Sequence, residues 1–421
     1  MTNNPKTLSV KQNMVWNMVG SAIGLACQWA ISIIVVRLAT DMESAGLYSL
    51  AVSVYGIFSP IANFGMYTYL ITDIDGKNTV GEYLSLVSFT SLCALVVTMC
   101  YAAATCRPNA LLVIGSYALY KGIAVVIDIM HAADQKAHRM DYIGISLAAQ
   151  GILSLCSFTL IFYFSHDLVA SILAMAVTTL AVGILYDLPK TKGLFPLKYG
   201  IRKHDAIALL SSCSLIVVAS IATGAFASLP RQVLSGIMGD SMLGIYASVA
   251  TPVAIIQVGS TYIYNPLIGY FAESFHAGDS ERFKKLVRTT VIGIIAIGIL
   301  ALLGATALGK PALWLLYGET VAQHVDLLFP LIISSLLLGV ASFLSNLLVA
   351  VRALRIMVVG SVIALVISTV CSTPLIAMFG MNGATYALVL SCASSILISC
   401  AGVFLQLRKQ LVSRTPDSTQ S

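Results

Sequence analysis

The sequence predicts an all-α polytopic membrane protein of about twelve transmembrane helices, arranged as two pseudo-symmetric six-helix lobes. Three observations predict it. Of the 421 residues, 58% are hydrophobic and only 10% are charged, against roughly a quarter charged in a water-soluble chain. The apolar runs last about 20 residues without polar alternation, which suits membrane helices and not barrel strands. Lys and Arg fall almost entirely on alternate connections, as an even number of spans with both ends on one side requires.

The spans are expected near 13–36, 45–71, 82–104, 109–131, 142–164, 168–187, 206–229, 237–270, 288–308, 325–350, 358–378 and 382–405. The eighth is too long for one straight crossing, so its start is expected in a loop. With both termini cytoplasmic, nineteen of the 24 Lys and Arg lie inside and four outside (Arg37, Arg107, Arg231 and Lys310). Lys121 is left over, within a span. The net charge of +6 thus reports orientation in the membrane and not nucleic-acid binding. Residues 1–12 read as a cytoplasmic segment and 406–421 as a cytoplasmic, disordered tail. No small-residue cleavage site follows the first apolar run, so that run is expected to be a retained span.

Internal similarity divides the chain. Ala45-Gly46-Leu47-Tyr48-Ser49 recurs as Leu243-Gly244-Ile245-Tyr246-Ala247, 198 residues on. Lys136-Ala137-His138-Arg139 recurs as Arg352-Ala353-Leu354-Arg355, 216 residues on, and Gly144 and Gly360 share that offset. The expected organisation is an N-lobe over 13–187, a basic cytoplasmic connection over 188–205 and a C-lobe over 206–405. Transporters place their sites at such repeats.

The nine cysteines contain no CxxC pair and mostly lie in apolar runs, where they pack as small polarizable groups. The six histidines are scattered, so neither a metal site nor a cofactor is expected. Lys121 is the sharpest candidate for chemistry. A mid-span charge costs roughly 2.5–3.5 kcal/mol on insertion scales unless it meets a cavity or a partner. Asp128 lies two turns on, about 10 Å along the same face, and His131 continues roughly that side. The alternative is that Lys121 pairs with an acid on a neighbouring helix. On the offset of 216 its counterpart is Leu337, and that of Asp128 is Leu344.

In the first span Asn13, Asn17, Ser21, Gly24, Gln28 and Ser32 form one polar stripe. It either lines a cavity, with Asn17 and Gln28 meeting polar substrate groups, or packs helices closely through small residues. Arg231 follows Pro230 near the outer end of the seventh span and Arg37 ends the first. Either would meet an anionic group, or snorkel to the lipid headgroups. Pro60, Pro252, Pro266 and Pro374 lie inside spans, where prolines permit bends. Tyr and Phe near span ends read as interfacial anchors, so none is assigned to a site.

Val36-Arg37-Leu38-Ala39-Thr40, Ala45-Gly46-Leu47-Tyr48 and Asn63-Phe64-Gly65-Met66 resemble the opening of the bacterial polysaccharide-transport, Wzx-type flippases. Met238-Gly239-Asp240 with Gly244-Ile245-Tyr246 looks like the second-lobe counterpart. The resemblance covers the whole chain and implies the MATE-like flippase fold of the multidrug, oligosaccharidyl-lipid and polysaccharide exporter superfamily. It implies an undecaprenyl-diphosphate-linked oligosaccharide (an O-antigen, enterobacterial common antigen or capsule repeat unit) flipped across the bacterial inner membrane. Contact with membrane lipids and a polymerase and chain-length regulator as partners go with that reading, and proton or sodium coupling would run through Asp128. A hydrated cavity with cationic groups would balance the diphosphate, which puts Lys121, Asp128, Arg231, Arg37 and His131 in the charged set. Asn17, Gln28 and Asn63 form the polar set.

Two rivals stand beside it. A cation-coupled multidrug exporter of the same fold usually carries an acid in its first span, and this first span has none. A membrane-embedded glycan polymerase or acyltransferase would need a large external loop, and the external stretches here are short. A lipid II flippase usually has more than twelve helices. The loop Thr72–Gly81 lacks the basic signature of sugar porters. No Walker A motif is present.

Overall fold

In lipid every backbone N–H and C=O must be satisfied within the segment, and the chain answers with helices. The computed structural model describes residues 9–39, 41–73 and 77–412, and among them there is no strand. Thr40 of the resemblance motif, most of the N-terminal segment, and the tail beyond 412 expected to be disordered lie outside the described residues. Twelve helical stretches are long and apolar enough to cross a membrane, from Lys11–Leu38 to Met381–Arg408.

The chain divides into two compact units, the first ending at Val217 and the second beginning at Val218. The first contains α1 (Val10–Leu38), α2 (Glu43–Asn63), α3 (Met66–Thr72), α4 (Val80–Thr105), α5 (Pro108–Lys136), α6 (Met140–Ser165) and α7 (Leu168–Val182). A π-helical turn, Gly183–Asp187, then leads into α8 (Leu188–Leu194). The sequence places 188–205 in a loop. Here Leu188–Leu194 is helical and continues the π turn without a break, Asp187 and Leu188 both having right-handed helical backbone. The division between units falls inside α9 (Lys203–Met238).

The second unit continues with α10 (Asp240–Val253), α11 (Ile255–Tyr264), α12 (Ile268–Ala277), α13 (Ser280–Tyr317), α14 (Glu319–Ala322), α15 (Leu328–Ala350), α16 (Leu354–Phe379) and α17 (Met381–Val412). The overlong eighth span resolves here. Gly239, at φ 90°, separates α9 from α10. Pro252 closes α10, and a short 3-10 turn at Asn265–Leu267 separates α11 from α12.

Local sequence sets the helix ends. Ser9 and Gln12 form a capping box on α1, and Thr79 and Glu82 form one on α4. Alpha2 stops where Phe64 and Gly65 adopt left-handed backbone, at φ 48° and 74°. Close packing of α1 on α6 depends on glycine. A Cβ on Gly20 would strike the backbone of Gly144, and one on Gly144 would strike the Trp16 carbonyl. Aromatic cores differ between the units. Tyr48, Tyr117, Phe158 and Phe162 pack in the first, and Tyr264, Phe271, Phe283 and Phe343 pack in the second.

The internal repeat is visible in backbone geometry. At the end of α5, Ala137, His138 and Arg139 donate their N–H groups to Ala133, Gln135 and Asp134. At the end of α15, Val351, Arg352 and Ala353 donate to Leu347, Val349 and Leu348 in the same pattern. His138 and Arg352 both take positive φ, 57° and 58°. Alpha6 and α16, each 26 residues, begin immediately after these turns. The backbone offset is therefore 214 residues, two fewer than the basic motif suggests. That motif aligns like side chains placed at different points of the same turn. In the corrected register Lys121 and Asp128 correspond to Ser335 and Ser342. Leu337 and Leu344 instead pack into the apolar core of the second unit.

Candidate functional site

Alpha5 carries the candidate site, and α2, α6 and α7 build its walls. Lys121 is half-buried, near the middle of a span that runs Pro108–Lys136. Its Nζ lies over two rings of its own helix, 5.0 Å from the centre of Tyr120 and 5.8 Å from that of Tyr117. These are cation–π distances. Tyr48 and Tyr55, from α2, meet Tyr117 edge-on at 5.7 and 6.1 Å. Among the described residues Lys121 is in contact with rings and forms no ion pair with a carboxylate. The expectation of an acid on a neighbouring helix is not met.

Such a cation is available to an incoming anion. Rings offer it no competing negative charge, and their faces also suit the apolar faces of sugars. The Tyr55 hydroxyl is buried without a hydrogen-bond partner among the described residues. The Tyr120 hydroxyl interacts with Ser154 of α6 and Gln28 of α1. Sequence reasoning did not assign these tyrosines, since tyrosine in a membrane helix is most often an anchor. The usable signal was spacing: Tyr117 and Tyr120 precede Lys121 by four and one, so they share its turn.

The polar stripe of α1 splits between two roles. Asn13 is buried and accepts the Met140 N–H at 2.8 Å. Gly24 approaches Gly151 of α6 so closely that a Cβ on Gly151 would sit 3.0 Å from its Cα. These positions pack helices. Asn17 is half-buried, and Gln28 reaches Tyr120, next to Lys121. Asn63 ends α2 and accepts the Tyr67 N–H at 3.4 Å.

A second polar cluster lies toward the other end of α5. The Asp128 side chain is 47% exposed, and its Oδ1 is 3.5 Å from His131 Nδ1. His131 is buried, and its Nε2 is 3.3 Å from Asp187 Oδ1, itself fully buried. The His131–Asp187 contact has ion-pair distance without hydrogen-bond alignment. Ser146 of α6 donates to Asp187 Oδ2 at 2.8 Å, and Gln150 donates to Ser146 at 2.9 Å. Thr191 of α8 donates to Asp134 Oδ1 at 3.2 Å. Thus His131 is enclosed between carboxylates rather than lining the same face as Lys121. The π turn brings Asp187 to it, and π turns recur at functional positions. Sequence reasoning ended the sixth span at Asp187, so it treated that residue as a boundary.

The remaining candidates lie apart. Arg37 is exposed in the last turn of α1, where its charge suits the helix dipole. Arg231 is half-buried in α9 of the second unit, where its charge acts on Tyr246 of α10. A groove of about 300 Å³ in the first unit is lined by Leu84, Ile123, Val126, Met130, Leu180 and Ile184 among others, and holds no candidate residue. No cluster that could hold a metal ion occurs among the described residues.

At the membrane edge, Asp73 accepts the N–H groups of Lys77 and Asn78 at 3.1 and 3.2 Å and the Tyr83 hydroxyl at 3.3 Å. Burial pushes its carboxyl upward, but these donors and nearby Lys136 hold it below the usual carboxylate range. The Lys136 ammonium also donates to the Asp73 carbonyl at 2.6 Å. Arg139 forms a two-pronged pair with Asp141 at 2.9 and 2.8 Å, which raises its guanidinium above the usual value.

The chain is similar to known proteins. The model of the family described as "Polysaccharide biosynthesis protein" matches residues 10–275. The capsular polysaccharide biosynthesis protein CapF of Staphylococcus aureus is 23% identical over 388 residues, covering 90% of this chain and 96% of that one. The lipid II flippase MurJ, in an inward closed conformation, shares the fold with a TM-score of 0.68 at 11% identity, over 97% of this chain and 94% of MurJ. An inward-facing multidrug resistance MATE family transporter of the MOP superfamily gives the same score and identity, over 96% of this chain and 100% of that one.

Proposed function

The chain belongs to the polysaccharide biosynthesis protein family, with the helical fold of the MOP-superfamily transporters, and from that membership we propose that it flips a lipid-linked oligosaccharide. The substrate class is an undecaprenyl-diphosphate carrying a glycan repeat unit. It crosses from the inner to the outer leaflet of a bacterial inner membrane by alternating access, and both termini of the protein lie in the cytoplasm. A glycan polymerase takes the product.

One observation carries the reading. Lys121 sits mid-span among tyrosines, with no carboxylate paired to it among the described residues. A cation so placed is costly in lipid, and an anionic diphosphate would offset that cost. The tyrosine faces and the Gln28 amide suit sugar hydroxyls and ring faces. The same cation disfavours a cationic drug as cargo, although the MATE fold is shared.

The test is deletion of the gene in its host, followed by leaflet-resolved assay of lipid-linked oligosaccharide. Accumulation on the cytoplasmic side is expected. Normal translocation in the deletion strain, with raised drug sensitivity instead, would replace this reading by the exporter.

A further inference from the structure

We propose that His131 is a proton-binding site of this transporter and that its occupancy sets the backbone form of the Gly183–Asp187 turn. The inference rests on the transporter reading and adds the group that holds the ion and the element that responds.

A neutral imidazole has one N–H and one lone pair, whereas the imidazolium has two N–H groups. Here each ring nitrogen faces a carboxylate oxygen, Asp128 at 3.5 Å and Asp187 at 3.3 Å. Only the imidazolium offers a proton to both. Loss of the Nδ1 proton leaves the Nε2–H toward Asp187 but removes the positive charge beside a carboxylate that is 0% exposed, on a ring that is 2% exposed. Water cannot reach that uncompensated carboxylate, so Asp187 must move.

Asp187 is the partner built to move. It is the last residue of the π turn, a local insertion whose return to α-helix shifts the register of the helix downstream. The turn is wedged on α5, since a Cβ on Gly183 would press the Ile127 side chain at 2.7 Å. Ile127 is one helical turn before His131. Beyond the turn, Thr191 ties α8 to Asp134, so a shift in the turn reaches α8 as well.

The proton has a route. Asp128 lies on the other side of the ring and is 47% exposed. As the His131 Nδ1–H bond breaks, an O–H bond forms on Asp128 Oδ1. The proton then passes to water, leaving the imidazole neutral and Asp128 ionised again.

Other ionisable groups surround the site. Asp134 lies on α5, and Asp141 and Tyr142 lie at the start of α6. Tyr186 lies on the turn, and Lys190 of α8 stands 5.0 Å from the Tyr142 ring. The charge of Asp128 acts on Tyr55 of α2 and Tyr67 of α3, and also on Lys121. On α4 the residues lining the same groove as Ile127 and Met130 are Leu84 and Ser88, both uncharged.

The experiment uses the full-length protein in nanodiscs of phosphatidylethanolamine and phosphatidylglycerol, with no glycan present. Nitrogen-15 histidine spectra between pH 5 and 9 report ring protonation, with His131→Gln assigning the signals. Amide exchange of residues 180–191, corrected for intrinsic rates, reports the turn. In the unmodified protein, protection over 183–187 is expected to fall by roughly fivefold at the pH where the His131 ring loses its proton. His131→Gln should show no such step. Asp128→Asn should keep the step and move it to lower pH. The proposal is overturned if the ring holds one protonation state throughout, if the step survives in His131→Gln, or if Asp128→Asn leaves it in place. Should His131→Gln fail to fold, the Asp128→Asn result decides alone. Because no glycan is used, failure here leaves the flippase reading to the deletion strain.

Discussion

Alpha5 and α15 have the same place in their units and end in the same hydrogen-bonded turn, yet they carry opposite chemistry. Along α5 stand Lys121, Asp128 and His131. At the corresponding positions α15 has Ser335, Ser342 and Ser345. The neighbour that completes the cluster also differs. The first unit supplies Asp187 from a π turn, whereas α17 has no acidic residue at all. Backbone geometry has been kept, while of these two helices only α5 carries charged residues within its span. An asymmetric substrate, anionic at one end and polar at the other, needs no symmetric site. On α15 a neighbouring serine, Ser334, donates to the Leu331 carbonyl of its own helix at 2.8 Å.

The sharpest way to break this comparison is to remove the charge that only the first unit holds. Asp187→Ala leaves His131 buried with Asp128 alone. Breaking a buried pair costs about 3–5 kcal/mol. A clear drop in thermal unfolding temperature in detergent is expected. Ser345→Ala in the second unit should leave that temperature nearly unchanged. Equal losses from the two variants would mean that the first-unit cluster is no more important than ordinary helix packing.

Next in size is the transport effect. Lys121→Ala should reduce translocation about 10- to 100-fold at normal abundance, the equivalent of losing a charged hydrogen bond of roughly 1.5–3 kcal/mol. Lys121→Arg should retain part of the activity, since the charge survives while the geometry changes. Ser335→Ala, its counterpart on α15, should stay within about twofold, because a hydroxyl contributes about 1 kcal/mol or less. A transport assay alongside quantitative immunoblotting separates loss of function from loss of protein. Full activity of Lys121→Ala would make the lysine structural.

A smaller effect concerns how helices touch. In the first unit α1 meets α6 through Gly20 and Gly144, with backbone against backbone. In the second, α9 meets α16 through hydroxyls: Thr223 and Ser361 are 3.0 Å apart, and Ser368 donates to the Phe226 carbonyl at 3.0 Å. Gly144→Ala should therefore destabilise by about 1–3 kcal/mol, as overpacking does. A Cβ on Gly360 would meet Ile398 at 3.5 Å and Ser399 at 3.8 Å, both ordinary contacts, so Gly360→Ala should be tolerated. Thermal unfolding of both variants measures the contrast.

These contrasts also show what the sequence could and could not disclose. Spans were legible because lipid transfer is a sum over about 20 residues, and a sum survives uncertainty in any one position. Lys121 was legible for the same reason, as the charge that no loop could absorb. Asp187 was not, because it stands where the apolar run ends and only the π turn folds it inward against His131. The tyrosines around Lys121 were missed because composition cannot distinguish an anchor at the lipid surface from a ring facing another helix. The repeat was seen, but in a register displaced by two, since similar basic side chains occupy different points of the same turn. Whether the α1 stripe was packing or cavity wall could not be decided from spacing, and the structure divides it between the two.

The smallest effect tests the connections at the membrane edge. Asp73 of the first unit is buried and accepts hydrogen bonds from two backbone N–H groups and a tyrosine. Asp279 of the second unit is exposed and accepts one, from the Arg282 N–H at 2.9 Å, as the N-cap of α13. Aspartate and asparagine serve about equally at an N-cap, so Asp279→Asn should change little. At Asp73 the amide would present a donor to groups that are themselves donors. Protection of amides 77–83 from exchange should fall roughly fivefold in Asp73→Asn at pH 7, the equivalent of about 1 kcal/mol. The pH dependence has a definite sign. Burial opposes the charge of Asp73, but the N–H donors and Lys136 outweigh it, so the folded carboxyl lies below its unfolded value of about 3.9. Its contribution is then complete above that unfolded value and is lost as pH falls through the lower, folded one. The unmodified protein should lose protection over 77–83 only in that acid range. Asp73→Asn should show the reduced protection at every pH and no acid step of its own. An acid step that persists in Asp73→Asn would assign it to another carboxylate, and equal responses at 73 and 279 would remove the distinction between the two connections.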